Sequence, residues 1–379
     1  TNSNIVLRNA TSNRPYSTER ESVIQIYNLE NSELTWEKNY QANIGLDGGL
    51  FNNRVNFSAD VYKRHSFDLI SLIKTSGIGG SDFDPNTEEF RPYKAANYAD
   101  LESKGVDFLI GGSIIRKKDW GWRTNLTFGY NTNKITNAKN RPLIFDLVRP
   151  EGGNREGYPV RSLFSIDYKG LVRNNGSPLF VNEEDSISGK VYLQDETVQY
   201  VVFEGPVDPK YNGGFSNTFN YKNLSLNIFV TYQAGNKIRL YPAFKNTYTD
   251  FDAMPKEFYD RWMQPGDELV PGVQPAILDA YTAYLLSGEY AYNNYNYSTA
   301  RVARGDFVRL KTVSLTYQLG KAALSRLGLN ALSVTAAAIN PWLIYSDSKL
   351  KGQDPEFFNT GGVAMPVQKQ FTLSLKAGL

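Results

Sequence analysis

The sequence predicts an all-β protein, an antiparallel transmembrane β-barrel with long extracellular loops, on three observations. Segments of about ten residues alternate strictly between apolar and polar side chains, the signature of a strand with one wet and one dry face. Tight turns and long loops join them in alternation, as at the periplasmic and extracellular ends of a barrel. No stretch approaches the roughly 20 consecutive apolar residues of a membrane helix. The last segment shows the pattern: Phe371, Leu373, Leu375, Ala377 and Leu379 share one face, and Gln370, Thr372, Ser374, Lys376 and Gly378 share the other.

Each strand follows from this rule. The first, about 34–50, turns Tyr40, Ala42, Ile44 and Leu46 outward and Gln41, Asn43 and Asp47 inward. A short turn at Phe51-Asn52-Asn53 suits a hairpin. The second, about 54–69, puts Val55, Phe57, Ala59 and Val61 toward lipid and Arg54, Asn56, Ser58 and Asp60 toward the lumen. After a Gly/Ser/Asp-rich loop at about 73–96, the third carries Val106, Phe108, Ile110 and Ile114. A turn near Lys117-Lys118-Asp119 leads to the fourth. There Trp120, Trp122, Leu126, Phe128 and Tyr130 point out, and Arg123, Asn125, Thr127 and Asn131 point in. Trp and Tyr at its two ends fit an aromatic girdle at each interface.

Residues 136–210 leave two readings open. Strand-like pieces at Tyr158–Val172 and Val198–Phe203 form either a membrane-spanning pair or part of an extracellular insert. Alternation returns with Phe215, Phe219 and Tyr221, a Lys222-Asn223 turn, and then Leu224, Leu226, Ile228, Val230 and Tyr232. The longest loop, about 236–300, contains a predicted helix around Pro255–Met263, with proline in its first turn. Three strands follow, one with Val313, Leu315, Tyr317 and Leu319, one with Leu332, Val334, Ala336 and Ala338, and the last already described. Residues 1–33 read as the irregular, polar end of an exposed loop. The count is about nine strands, or about eleven with the uncertain pair, by alternation. Both are odd, whereas a single-chain barrel has an even number. The chain also starts at Thr1 without a signal peptide. Further strands are therefore expected upstream, and 34–379 reads as the C-terminal portion of a barrel.

Composition excludes several function classes. Mean hydropathy is −0.43, which a barrel permits because half of each strand faces water. Lys and Arg total 41 against 39 Asp and Glu, so no nucleic-acid surface is expected. The absence of cysteine removes thiolate catalysis, disulfides and Cys-zinc sites. The 25 Tyr and 21 Phe suit a lipid–water interface or a sugar-stacking surface equally.

Five segments carry a family resemblance. They are LTWEKNYQANIGLDGGLFNNRVNFSADVYKR at Leu34–Arg64, DPKYNGGFSNTFNYKNLSLNIFVTYQAGNKI at Asp208–Ile238, FYDRWMQPGD at Phe258–Asp267, FVRLKTVSLTYQLG at Phe307–Gly320, and NPWLIYSDSKLKGQDPEF at Asn340–Phe357. In this order and spacing they resemble the C-terminal barrel half of a SusC-like (SusC/RagA-type) TonB-dependent outer-membrane transporter. The terminal Leu379 departs from the usual aromatic ending, and Asn182–Asp185 lacks a DxNGDG-type run, so no calcium site is expected there. The resemblance implies a barrel of about 22 strands in the bacterial outer membrane. It also implies an N-terminal plug and TonB-contacting region outside this chain, a SusD-like surface lipoprotein as lid, and a dimer of transporter–lid pairs. The implied activity is TonB-energised import of a large nutrient, an oligosaccharide first and a peptide second.

Candidate sites are few. Tyr281, Tyr284, Tyr290, Tyr292, Asn294, Tyr295 and Tyr297 lie in one loop run. Their apolar ring faces, phenol tips and amides suit carbohydrate or peptide contact. Packing of the loop on itself and docking to a lid are the competing readings. The single histidine, His65, reads as a rim residue, and no nucleophile, metal or cofactor motif stands out, so an enzyme is not expected. Asp354 and Glu356 sit in one turn, unlike a catalytic pair opposed across a bond, and read as solvated or salt-bridged carboxylates. Gly213-Gly214 and Gly361-Gly362 lack the helix and lysine of a phosphate loop and read as flexible points near strands. Asp60, Arg64, Asp107 and Arg123 are expected to line the lumen or meet a plug. The competing functions are a soluble or surface all-β glycan-binding module and a structural or secretion barrel.

Overall fold

The computed structural model describes residues 6–13, 20–28, 34–74, 82–84, 89–91, 93–139, 141–245, 248, 251, 254, 256–320, 324–325, 328–358 and 367–378. Its main feature is one nine-stranded sheet. The strands are β1 (Lys38–Leu50), β2 (Val55–Lys74), β3 (Tyr93–Arg116), β4 (Trp120–Ala138), β5 (Tyr211–Tyr221), β6 (Leu224–Ala234), β7 (Phe307–Gln318), β8 (Ala331–Ser346) and β9 (Gln370–Gly378). Each pairs antiparallel with its neighbours in chain order, so the sheet is a simple meander. It is open, with β1 and β9 at its two edges. Among the described residues no second sheet covers its apolar face. Ile44, Leu373 and Leu375 are 79%, 77% and 70% exposed.

The register carries the apolar face across the strands. Leu126 of β4 faces Phe215, Phe215 faces Val230, Val230 faces Leu310, and Leu310 faces Trp342. Trp120 stacks near Tyr221 with centroids 4.7 Å apart at the short-turn end, and Tyr130 lies 5.1 Å from Tyr211 at the other. From Trp120 to Tyr130 is about 33 Å of strand at about 3.3 Å per residue. A tilt of about 40° makes this about 25 Å of height, the thickness of the apolar band of an outer-membrane barrel.

The short-turn end is built from residues that accept positive φ. Phe51, Asn52 and Asn53 have φ of 55°, 54° and 59°, and Lys222 has 49°. Gly213 is required by close approach rather than by flexibility. The Tyr232 ring and the Thr127 carbonyl occupy the space a Cβ would take. A bulge between Ser113 and Ile115 shifts the pairing, so Ile115, not Ile114, stands opposite Trp122. One extra residue reverses the parity beyond Ile114, so strict alternation did not place Ile115 on the outward face.

Beyond Ala138, the end of β4, residues up to 210 form an extracellular insert and add no strand to the large sheet. Ser162–Ser165 pairs with Val202–Pro206, and Tyr168–Leu171, Pro178–Val181 and Ile187–Ser188 make a small three-stranded sheet. Its short helix α1 (Ile144–Val148) buries Ile144, Leu147 and Val148. These join Phe164, Ile166 and Phe180 in one core with Phe244, Phe258, Tyr292 and Tyr295 of the 236–300 loop. Two loops thus share a core like that of a water-soluble domain. The irregular reading of 1–33 is corrected. Val6–Asn13 and Arg20–Asn28 pair as a hairpin outside the large sheet, as the β-branched run Val23-Ile24 and Ile26 favours. The helix expected over 255–263 is a 3-10 turn at Lys256–Asp260, and Pro255 lies outside the described residues.

Arg239 holds the shared core together. It is 2% exposed. Its guanidinium donates to the carbonyls of Phe164 at 2.6 Å, Ser298 at 2.7 Å and Val148 at 3.2 Å, and to Ser165 Oγ at 3.0 Å. Burial pulls its pKa down to about 9, so it stays charged at neutral pH.

Two predictions follow from packing. Asn217 lies on the apolar face, 7% exposed, and its Oδ1 accepts from Trp122 Nε1 at 3.0 Å. Trp122→Phe leaves that amide oxygen without this donor and should destabilise the barrel by about 1–3 kcal/mol. Adding Asn217→Leu should recover much of the loss, as measured by urea unfolding in detergent micelles. Arg239→Ala should cost at least about 3 kcal/mol, from two or more charge-assisted bonds of about 1.5–3 kcal/mol each. Trypsin applied to intact cells should then cleave the 139–210 and 236–300 loops, while the heat-modifiable mobility of the barrel on gels is retained.

Candidate functional site

The long loops all leave the end of the sheet opposite the short turns, so the extracellular side concentrates the irregular chain where binding residues usually lie. The predicted tyrosine run is split by two short helices. Asp279 caps α2 (Ala280–Leu285), its carboxylate accepting from the amides of Tyr281 and Thr282, both at 3.1 Å. This directs Tyr281 and Tyr284 to solvent, 71% and 75% exposed, and Tyr290 is also exposed.

The next helix, α3 (Ala291–Asn296), turns the other way and buries Tyr292, Asn294 and Tyr295. Tyr292 donates its hydroxyl to the Ala276 carbonyl at 2.6 Å. Tyr295 donates to Gln274 Oε1 at 3.0 Å. Asn294 donates to the Val191 carbonyl at 3.0 Å, tying this loop to the insert. Burial pushes the Tyr292 and Tyr295 phenols well above their ordinary range. Tyr297 is half-buried beside the Phe145 ring. The seven residues therefore divide into a surface trio and a packed group beneath it.

Two adjoining cavities open among these loops. The larger, about 740 Å³, is bounded by Leu240, Tyr241, Met254, Lys256, Lys351 and Phe358 among others. The smaller, about 420 Å³, includes Tyr168, Gln274 and Tyr295. Arg301 and Glu257 line both. They are paired at 2.7 Å, and Arg301 also donates to the Tyr241 carbonyl at 2.8 Å. Sequence reasoning missed Arg301 and the lysines around it, because they meet only when distant loop segments fold together.

Several motifs turn out to be structural joints. In the WEK segment, Glu37 accepts from the Ile70 amide at 2.8 Å and Lys38 pairs with Asp68 at 2.9 Å. Both brace a bulge where Asp68 has φ 55°. In the RW…PGD segment, Asp267 accepts from the amides of Met263 and Gln264, closing the loop on itself. His65 lies on the outward face of β2, 3.6 Å from Glu102 and stacked on Phe67. Asp60 faces Asp107 across β2 and β3 on the lumenal face, Arg64 bonds Gln41 Oε1 at 3.0 Å, and Arg123 stands opposite Ser113.

The two carboxylates of the DPE turn meet Arg309, which projects from the lumenal face of β7. Asp354 accepts from Arg309 at 2.5 Å, and Glu356 lies 3.4 Å from it. Arg309 and Asp354 side chains are 3% and 2% exposed. This joins two of the family-like segments and fastens the last long loop to the sheet. Burial pushes the Asp354 carboxyl up, but the Arg309 bond and the amides of Val367 and Glu356 outweigh it and hold the pKa below the ordinary carboxylate value. A carboxyl lowered on folding adds stability above its unfolded pKa of about 3.9 and loses it as pH falls through the folded value. The 347–358 segment should therefore stay anchored at neutral pH and loosen in acid below about pH 4. Asp354→Asn should loosen it at pH 7 and cost about 3–5 kcal/mol, the loss seen when one partner of a buried pair is removed. Hydrogen exchange of the loop amides reads both effects.

No protein-family model matches the chain. TonB-dependent receptor P39 of Formosa agariphila is 24% identical over 382 residues, which covers 89% of this chain and 34% of that protein. TonB-dependent receptor P26 of the same organism is 26% identical over 362 residues, covering 87% of this chain and 32% of that protein. TonB-dependent receptor SusC of Bacteroides thetaiotaomicron is 32% identical over 106 residues, 28% of this chain. The chain spans about a third of the length of the two Formosa relatives. Among solved structures, the RagAB peptide transporter superposes with a TM-score of 0.72 over 99% of this chain and 38% of that one, at 21% identity, which shows a shared fold. With the meander, the apolar outward face and the ordered motifs, these relatives make the chain similar to the C-terminal barrel portion of SusC-like TonB-dependent receptors, which are β-barrel proteins of the bacterial outer membrane.

Proposed function

We propose that this chain supplies barrel wall and extracellular binding loops to an active importer of a large nutrient. The observation that carries the reading is the span of the relatives. Proteins named TonB-dependent receptors align over 87–89% of the chain, through both the strands and the long loops. Import then draws its energy through TonB, contacted by a region outside this chain, and a plug gates the lumen. The polar inner wall, with Asp60, Arg64, Asp107 and Arg123, faces that plug or the passing cargo.

The loops support capture at the outer face. Tyr281, Tyr284 and Tyr290 present exposed rings above a core that holds them in place through Tyr292, Asn294, Tyr295 and Tyr297. Exposed rings of this kind suit sugar stacking or the underside of a SusD-like lipoprotein lid. An oligosaccharide is the favoured cargo and a peptide the second. RagAB, whose fold this chain shares, is a peptide transporter, which keeps the second class in view.

Deletion of the gene for the full-length transporter should abolish growth on one class of oligosaccharide, and restoring the gene should rescue it. Uptake of the fluorescently labelled sugar by the wild type should stop when the proton gradient is collapsed. Normal growth of the deletion strain on every oligosaccharide and peptide tested would overturn the importer reading.

A further inference from the structure

The larger loop cavity has a charge balance unlike the chain around it. The whole sequence is nearly neutral, with 41 basic and 39 acidic residues. The wall of the 740 Å³ cavity carries Lys245, Lys256, Arg301, Lys349 and Lys351 against one carboxylate, Glu257. That carboxylate is already engaged with Arg301 at 2.7 Å. Lys256, Lys349 and Lys351 stand beyond this pair, Lys349 also donating to the Val302 carbonyl at 3.1 Å. The adjoining 420 Å³ cavity shows no such excess, because Glu257, Asp260 and Glu268 balance Arg301, Lys349 and Lys351. The positive charge is therefore a local property of one cavity.

Two further features suit a polar, ring-bearing ligand. Arg301 Nε and Gln353 Oε1, both belonging to residues of this wall, are buried with no hydrogen-bond partner among the described residues. Tyr241, Met254 and Phe358 supply apolar wall beside the charges. Such a mixture of apolar faces and a few placed polar groups is typical of small-ligand sites. None of the lining residues lies in a strand. The described lining thus offers no extended backbone edge of the kind along which peptides commonly add as a strand.

We propose that this cavity binds a negatively charged oligosaccharide, one bearing carboxylates or sulfates, with the lysines meeting its anionic groups. The proposal rests on the importer reading for its biological sense, but its test does not. Binding is measured by calorimetry on the purified full-length transporter in detergent, with four probes. These are a galacturonate hexasaccharide, a sulfated galactan hexasaccharide, neutral maltohexaose and a glutamate-rich hexapeptide.

At least one anionic sugar should bind, and its affinity should fall as salt rises, because exposed charges are screened. The double variant Lys256→Glu/Lys351→Glu should weaken that binding by about tenfold or more. Both lysines are exposed, and retained heat-modifiable mobility on gels shows that the barrel is intact. Preference for maltohexaose or the peptide, binding of no anionic sugar, or unchanged affinity in the double variant would each overturn the proposal. A gene needed for growth on a neutral glycan, without anionic binding, would defeat the proposal and leave the importer standing. Salt-sensitive anionic binding in a protein whose deletion alters no growth would do the reverse.

Discussion

Within hydrocarbon, a backbone N–H or C=O that loses its partner finds no water to replace it. That constraint organises the chain. Each strand of the large sheet must lie beside another, and the outward side chains must be apolar over the full thickness of the membrane. The meander meets the first demand at the lowest topological cost, because each strand pairs with the next through a turn or a loop. Alternation meets the second while leaving a wet inner wall. The exceptions are managed locally. The one amide buried on the apolar face of β5, Asn217, is met by the indole of Trp122 on the neighbouring strand, so a polar group persists there without an open hydrogen bond.

Above the membrane the constraint relaxes and a different one takes over. Long loops lose conformational entropy when they are ordered, and this cost is offset by packing of the loops against one another. The insert after β4 and the loop after β6 bury a shared set of aromatic and aliphatic side chains. Arg239 sits among them and bonds backbone from three separate stretches, at Val148, Phe164 and Ser298. A buried cation is costly unless its donors are satisfied, so these carbonyls and the guanidinium depend on one another. Arg309 with Asp354 repeats the device for the last loop, this time tethering it to the lumenal face of β7. The outer domain is thereby fixed to the barrel at points that local sequence does not reveal.

This division explains what could be read from sequence. Period-two patterning depends only on which residues face lipid, so all nine strands were legible, and so were the short turns at Phe51 and Lys222. Parity failed beyond Ile114, at Ile115, because a bulge is a single-residue event with no compositional mark. The hairpin within 1–33 was missed because its polar ends masked a β-branched middle. The tyrosine run was visible as composition, but only the helix break at Tyr290, with φ 55°, decides which rings reach solvent and which enter the core. Asp354 was legible as a carboxylate in a turn. Its partner Arg309 lies 45 residues away in sequence and no local pattern connects them.

The same division bears on how cargo choice can vary within one architecture. The outward face must satisfy the same lipid in every barrel, and the inner wall needs only to remain polar. Neither demand specifies a ligand. The loop cavities are under no such restriction, and their two neighbouring volumes already differ in charge, one with a five-to-one excess of cations and the other balanced. They share Arg301 and Glu257 as a common floor. That paired floor is fixed by the fold, whereas Lys256 and Lys351 are exposed side chains on a 3-10 helix and a turn, where substitution costs little stability. Charge selectivity can therefore change at the rim while the buried pair and the barrel beneath it stay as they are.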